Sequence, residues 1–144
     1  HVPYKGGQAA LPDILSGQLD IAIMDVVSMT PLIRSGRLRA LAITGPQRTS
    51  ALPDVPTLSQ AGIAFDTVGW YGIFGPAKMD GGATDRINAA VNRAMALPDM
   101  RKALLDSGAL PIEPAPTAVQ WQTEFNEQVQ IWGRIADSAR ITLD

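Results

Sequence analysis

The chain has no cysteine and a single histidine, His1. The first absence excludes disulfides, thiolate zinc sites and thiol nucleophiles, and leaves the redox compartment open. The second means that a Ser/His/Asp triad or a multi-histidine metal site would have to be built on a residue at the very terminus. Charge of either sign is not in excess: 12 Lys and Arg stand against 14 Asp and Glu, a net charge of −2. Nothing in that balance points to nucleic acid. Long hydrophobic runs are missing too; a stretch such as Ile21–Met24 is far short of the roughly 18 residues that cross a bilayer. What is present is 144 residues, 46% of them hydrophobic, the make-up of a globular chain with the length of an ordinary domain.

The chain opens as if in mid-protein. Val2 to Lys5 reads as extended, Gly6 and Gly7 break it, and Leu11, Ile14 and Leu15 then mark a short amphipathic helix from Gln8 to Ser16. Pro12 fits that helix only in its first turn. Leu19 to Met24 is the pattern of a strand buried on both faces, and Asp25 sits at its carboxyl end. Ser28 to Ser35 reads as a second helix, capped by Ser28 and stopped by Gly36. Leu38 to Thr44 is the next strand, Gly45 to Thr57 a polar proline-bearing loop, and Leu58 to Ala61 about one helical turn. Asp66 to Phe74 is β-branched and aromatic, a further strand.

After Gly75 and Pro76 the pattern is helical. Ile87, Ala90, Val91, Ala94 and Met95 share one face, a second helix runs from Leu97-Pro98-Asp99 to about Ser107, and a last one follows Thr117. That last helix carries Trp121, Phe125, Val129, Trp132, Ala136 and Ala139 at spacings of three and four. Ile141 to Leu143 is a possible closing strand. The alternation of the first third predicts an α/β fold with parallel strands, yet there is too little sheet to cover the later helices.

Several positions are candidates for a site. Tyr4-Lys5-Gly6-Gly7 sets backbone amides and a cation before a helix start, where carboxylate or phosphate is attracted; the same residues also suit an ordinary strand-to-helix turn. Asp25 either faces a ligand at the strand end or caps the helix that follows. Gly69-Trp70-Tyr71-Gly72 offers large rings beside small residues, for a pocket wall or for the core. Asp13 and Asp20 have no evident partner, and solvated or capping roles suit them.

In order and spacing, HVPYKGGQAALPDILSGQLDIAIMD, GRLRALAITGPQRTSALPDVPTLSQAG, GWYGIFGPA and WGRIADSARITLD resemble the second half of the Bug or TctC-type receptors. These are extracytoplasmic substrate-binding proteins of tripartite tricarboxylate transporters. The resemblance implies part of a type II periplasmic binding protein, a two-lobed Venus-flytrap. Residues 1–67 would be half of the second lobe, 68–76 the crossing strand, and 77–144 the carboxyl-terminal helices of the first lobe. It also implies that Tyr4, Lys5, Gly6, Gly7, Asp25, Val26, Trp70 and Tyr71 lie at the ligand, Val26 standing where polar residues are common. Lys78-Met79-Asp80-Gly81-Gly82 replaces a proline-bearing helix start common among relatives. Arg140-Ile141-Thr142-Leu143-Asp144 matches the family's closing pattern, so the expectation is a native end and a missing beginning that would hold any signal peptide.

The function implied is periplasmic capture of a small organic di- or tricarboxylate, or an amino acid, and its delivery to membrane permease subunits. No catalysis, cofactor, metal or nucleic acid is expected. The alternative is an interaction module that pairs with another chain or with itself and binds no ligand alone, which the deficit of sheet suggests.

Overall fold

A computed structural model describes residues 2–65 and 67–140. Its helices are α1 (Gly7–Leu15), α2 (Val26–Arg34), α3 (Gly81–Met95), α4 (Pro98–Ser107) and α5 (Ala118–Ser138). None is long and apolar enough to cross a membrane. The chain divides into two compact units. The first comprises residues 1–72 and 98–110, the second residues 73–97 and 111–144. Helix α4 therefore groups with the first unit, whereas its place in the sequence had set it among 77–144.

Helices α1 and α2 are built alike. The frame Pro-x-Ile-x-Ser-Gly-x-Leu occurs at Pro12–Leu19 and again at Pro31–Leu38. Its hydrogen bonds repeat with it: Gln18 N–H donates to the Asp13 carbonyl at 2.8 Å, and Arg37 N–H to the Leu32 carbonyl at 2.9 Å. Both ends are glycine-terminated Schellman turns. Each proline is the sixth residue of its nine-residue helix, so Pro12 is interior and not in the first turn as expected. A proline there removes one i→i−4 bond, which the tertiary contacts of so short a helix must offset. Helix α2 begins at Val26 with Asp25 as its cap, earlier than the Ser28 start expected.

The core of the first unit includes the loop that hydropathy marks as surface. Thr49, Ala51, Leu52 and Thr57 are buried, together with Ala10, Met29, Thr30 and Thr67. Buried hydroxyls must be bonded, and those of Thr49, Thr57 and Thr30 find local partners. Thr49 Oγ1 accepts from Ala51 N–H at 3.3 Å, Thr57 Oγ1 accepts from Gln60 N–H at 3.1 Å, and Thr30 Oγ1 donates to the Val26 carbonyl at 2.8 Å. Arg34 fastens the loop by donating Nε and Nη2 to the Ala51 carbonyl at 3.3 and 3.1 Å. Helix α4 packs on α2 through Gly108, which ends it at φ 99° beside Val26 and Thr30.

In the second unit α3 packs against α5. Thr117 and Gln120 close a capping box at the start of α5, and Asn88 and Asn92 both donate Nδ2 to the Pro116 carbonyl, at 3.2 and 3.0 Å. Phe74 meets Phe125 edge-on at 5.2 Å. Asp80 caps α3 by accepting from Ala83 N–H at 2.9 Å, so the helix start without proline is supplied by a side chain. No described side chain of this unit is fully buried. The half-buried seam of α5 runs through Trp121, Phe125, Gln128, Ile131 and Ile135, while Val129 and Trp132, expected on that face, are exposed.

The expected sheet is not seen among the described residues. Residues 2–5, 19–24 and 67–74 form no ladder, and 38–44 contributes only a parallel bridge between Ile43 and Thr57. The composition of these segments suits strands, but a strand is defined by pairing with a neighbouring backbone, and among the described residues Ile43 alone of these segments makes such a pair. Closing strand 141–143 lies outside the described residues.

Candidate functional site

Two groups of candidate residues form within the first unit. Tyr4, Gly6 and Gly7 line a cleft of about 700 Å³ whose other wall is Leu19 to Met24. Gly6 caps α1 at φ 96° and ψ 159°, a conformation essentially restricted to glycine, and no side chain bonds the helix start. Of the first-turn amides, that of Ala9 donates to the Gly6 carbonyl at 3.1 Å, while those of Gly7 and Gln8 receive no side-chain cap and stand at the positive end of the helix dipole. A Cβ on Gly7 would meet the flexible end of the Met24 side chain at 3.4 Å, an ordinary contact that places Met24 against the start of α1.

The second group is centred on Asp25, at the position of α2 that corresponds to Gly6 in α1. Its Oδ1 accepts from Val27 N–H at 3.1 Å, and its Oδ2 from Ser28 N–H at 3.2 Å and Ser28 Oγ at 2.6 Å. The Tyr71 phenol donates to the same carboxylate. Burial pushes the Asp25 carboxyl upward, but the bonds from Ser28, Tyr71 and the Val27 and Ser28 amides outweigh it and hold the group below its ordinary 3.8. Tyr71 is pushed up to about 12, first by that hydrogen bond and then by desolvation and the negative charge. Tyr4 is engaged in the same way: its hydroxyl donates to Asp13 Oδ2 at 2.6 Å, which raises the phenol.

These shifts fix a pH window. Asp25, lowered on folding, contributes stability above about pH 4 that is lost as pH falls through its folded value. Tyr71, raised on folding, contributes below about pH 10, and that contribution is lost as pH rises toward 12. In a Tyr4→Phe background the tyrosinate absorbance should titrate near pH 12. Adding Asp25→Asn should bring its midpoint back toward 10, and an unmoved midpoint would show that Asp25 does not hold the phenol.

The remaining candidates stand apart. Lys5 is exposed and outside the cleft lining, Val26 packs under Gly108, and Trp70 is half-buried. Sequence spacing missed Met24, which closes the cleft, and Ser28, which holds Asp25; the Asp-x-x-Ser spacing of a helix cap was the available signal. A second cavity, about 410 Å³, lies in the other unit between the first turns of α3 and α5. It is lined by Asp85 and no cation, and Asp80 and Thr117 already cap both helix starts, so it has little to offer an anion.

Comparison with known proteins decides the family. The model of the tripartite tricarboxylate transporter family receptors matches residues 1–141. The chain belongs to that family. This receptor chain is 34% identical over 139 residues to a protein encoded in the clcB-clcD intergenic region of Pseudomonas knackmussii, covering 94% of this chain and 80% of that one. It is similar to a solved periplasmic transporter at TM-score 0.88 and 33% identity, over all of this chain and 48% of the other. It is also similar to MatC from Rhodopseudomonas palustris, solved with bound malate, at TM-score 0.79 and 34% identity, over 91% of this chain and 45% of that one. The receptor chain thus spans under half of the solved structures it matches, and its fold corresponds to part of a periplasmic binding protein.

Proposed function

We propose that the chain forms part of a periplasmic receptor that captures a small organic carboxylate and delivers it to a membrane permease. The observation that carries this is the contrast between two equivalent helix starts. At α2 the Val27 and Ser28 amides are filled by the carboxylate of Asp25, while at α1 the matching position is Gly6, which brings no side-chain acceptor and opens on the cleft. A carboxylate from outside the chain fits the start of α1 as Asp25 fits that of α2. Asp25 is then a positioning group with its acceptors already engaged, and it orients Tyr71 at the end of the first unit. Membership of a receptor family and a relative that holds malate support the same reading.

The test is calorimetry with malate and a panel of di- and tricarboxylates. The 144-residue chain, which matches under half of its solved relatives, should bind weakly. A receptor-length polypeptide, this chain joined to the half of MatC that it does not match, should bind one of the panel. Gly6→Ala should weaken that binding at least tenfold by straining the loop that presents the amides. Silence across the panel in the receptor-length polypeptide would overturn the reading. An interaction module is the second reading, favoured by the large apolar side chains left exposed in both units.

A further inference from the structure

The net charge of −2 hides an uneven distribution. Residues 26–53 contain four arginines, Arg34, Arg37, Arg39 and Arg48, and no lysine, aspartate or glutamate, so this stretch carries +4 and the rest of the chain −6. All four belong to the first unit and all four are exposed. Folding gathers them. Arg34 donates to the Ala51 carbonyl, Arg48 donates Nη1 to the Pro53 carbonyl at 3.0 Å, and Arg37 and Arg39 leave the Schellman turn directly after Arg34. Arg37 and Arg39 flank the half-buried Leu38, which sets both on the outer side of the chain. Nothing neutralises this charge. The partners of Arg34 and Arg48 are carbonyls and, at 2.8 Å, Gln60 Oε1, neutral groups that satisfy N–H donors and leave the charge in place. The Arg37 and Arg39 side chains have no partner among the described residues, and Asp54, the first carboxylate after Asp25, pairs with none of the four. A guanidinium without a carboxylate resists burial, so these residues stay at the surface when further polypeptide covers the apolar side chains that the chain leaves exposed.

We propose that the face carrying Arg34, Arg37, Arg39 and Arg48 docks on an anionic phospholipid surface. Neither cavity described above is lined by any of the four, so the charge is spread over open surface and does not form a pocket for one small anion. Clustered basic residues are drawn to a negatively charged bilayer one by one, without the fixed geometry that a folded acidic partner demands. Charges farther away than about 8 Å are largely screened at physiological ionic strength, so the patch is felt more strongly than the negative charge of distant residues. The choice of a bilayer over an acidic protein rests on the receptor reading, since delivery to a permease brings the chain to a membrane. The contact is weak and reversible, as a carrier that must leave again requires.

The test adds no carboxylate ligand. The 144-residue chain, and the receptor-length polypeptide that joins it to the unmatched half of MatC, are sedimented with vesicles of equimolar phosphatidylglycerol and phosphatidylcholine and with vesicles of phosphatidylcholine alone. Both proteins should bind only the anionic vesicles and be released as salt is raised from about 50 to about 300 mM. Arg37→Gln combined with Arg39→Gln should lower the partition about 25-fold, roughly fivefold for each charge, and leave the urea midpoint unchanged because neither side chain bonds anything. Arg86→Gln combined with Arg93→Gln, at two exposed arginines of the second unit, removes the same net charge and should change the partition by no more than about twofold. Equal losses from the two pairs overturn the proposal, because net charge alone then governs binding. Absence of binding to the anionic vesicles overturns it too, as does binding by the 144-residue chain that the receptor-length polypeptide loses. Retention on immobilised polyglutamate without vesicle binding assigns the face to an acidic protein and likewise sinks it. Malate heat without vesicle binding removes this inference and leaves the receptor reading standing, whereas vesicle binding without heat from any carboxylate does the reverse.

Discussion

Gly108→Ala should lower the stability of the first unit by about 2–4 kcal/mol, read as a drop in the urea midpoint of the helical signal at unchanged slope. Two effects add. Gly108 sits at φ 99°, where an L-residue is strained, and its new Cβ would lie 3.1 Å from Val26 Cγ2 and 3.3 Å from Thr30 Oγ1. Neither neighbour yields readily: Thr30 is buried and bonded to the Val26 carbonyl, and Val26 is the first residue of α2. Gly133→Ala is the control. Nothing lies within 4 Å of a Cβ there, so the same substitution inside α5 should stabilise by about 0.5–1 kcal/mol. Equal effects at the two glycines would show that α4 does not pack on α2 through Gly108.

Arg34→Ala should cost about 2–3 kcal/mol, a large effect for an exposed arginine. Ordinary surface ion pairs contribute far less, but Arg34 donates twice to the carbonyl of Ala51, a residue only 4% exposed. Removing the fork leaves that acceptor without its charged partner inside the loop that forms the core. Arg34→Lys should recover less than half of the loss, since an ammonium cannot reproduce a planar two-donor fork. Full recovery by lysine would mean that the guanidinium contributes only charge. Urea midpoints of the three proteins decide between these outcomes.

The helices were legible in the sequence because their bonds are local. Periodicity and stop signals place α1, α2, α4 and α5 to within a residue or two of the observed bounds; the departures are that Asp25 and not Ser28 caps α2, and that Pro12 lies inside α1 and not in its first turn. The strands and the core were not legible in this way. A run such as Leu19 to Met24 shows which backbone could enter a sheet but not whether another backbone lies beside it. The loop from 45 to 57 looked like surface because hydropathy counts threonine as polar, whereas Thr49 and Thr57 are buried with their hydroxyls bonded. The pairs Thr57/Gln60 and Thr117/Gln120 make the same reciprocal bonds, a spacing signal that periodicity alone passes over.

Of the candidate site, the location was legible and the wiring was not. Gly6 and Gly7 stand at a cleft and Asp25 at a segment end, as strand-to-helix boundaries require. That Tyr4 reaches Asp13 and Tyr71 reaches Asp25 depends on side chains folding back across nine residues in one case and on a distant segment in the other. Val26 could not be told from a pocket residue until α4 was seen above it.

The repeated helix frame has a stoichiometric consequence. Two copies of one motif would ordinarily offer two equivalent seats for an anion, and titration would then count two. Here one seat is permanently taken by the chain itself through Asp25, and only the copy that begins with Gly6 is open. On the proposed function the first unit therefore saturates with a single carboxylate, and a ligand's second acid group must be met elsewhere.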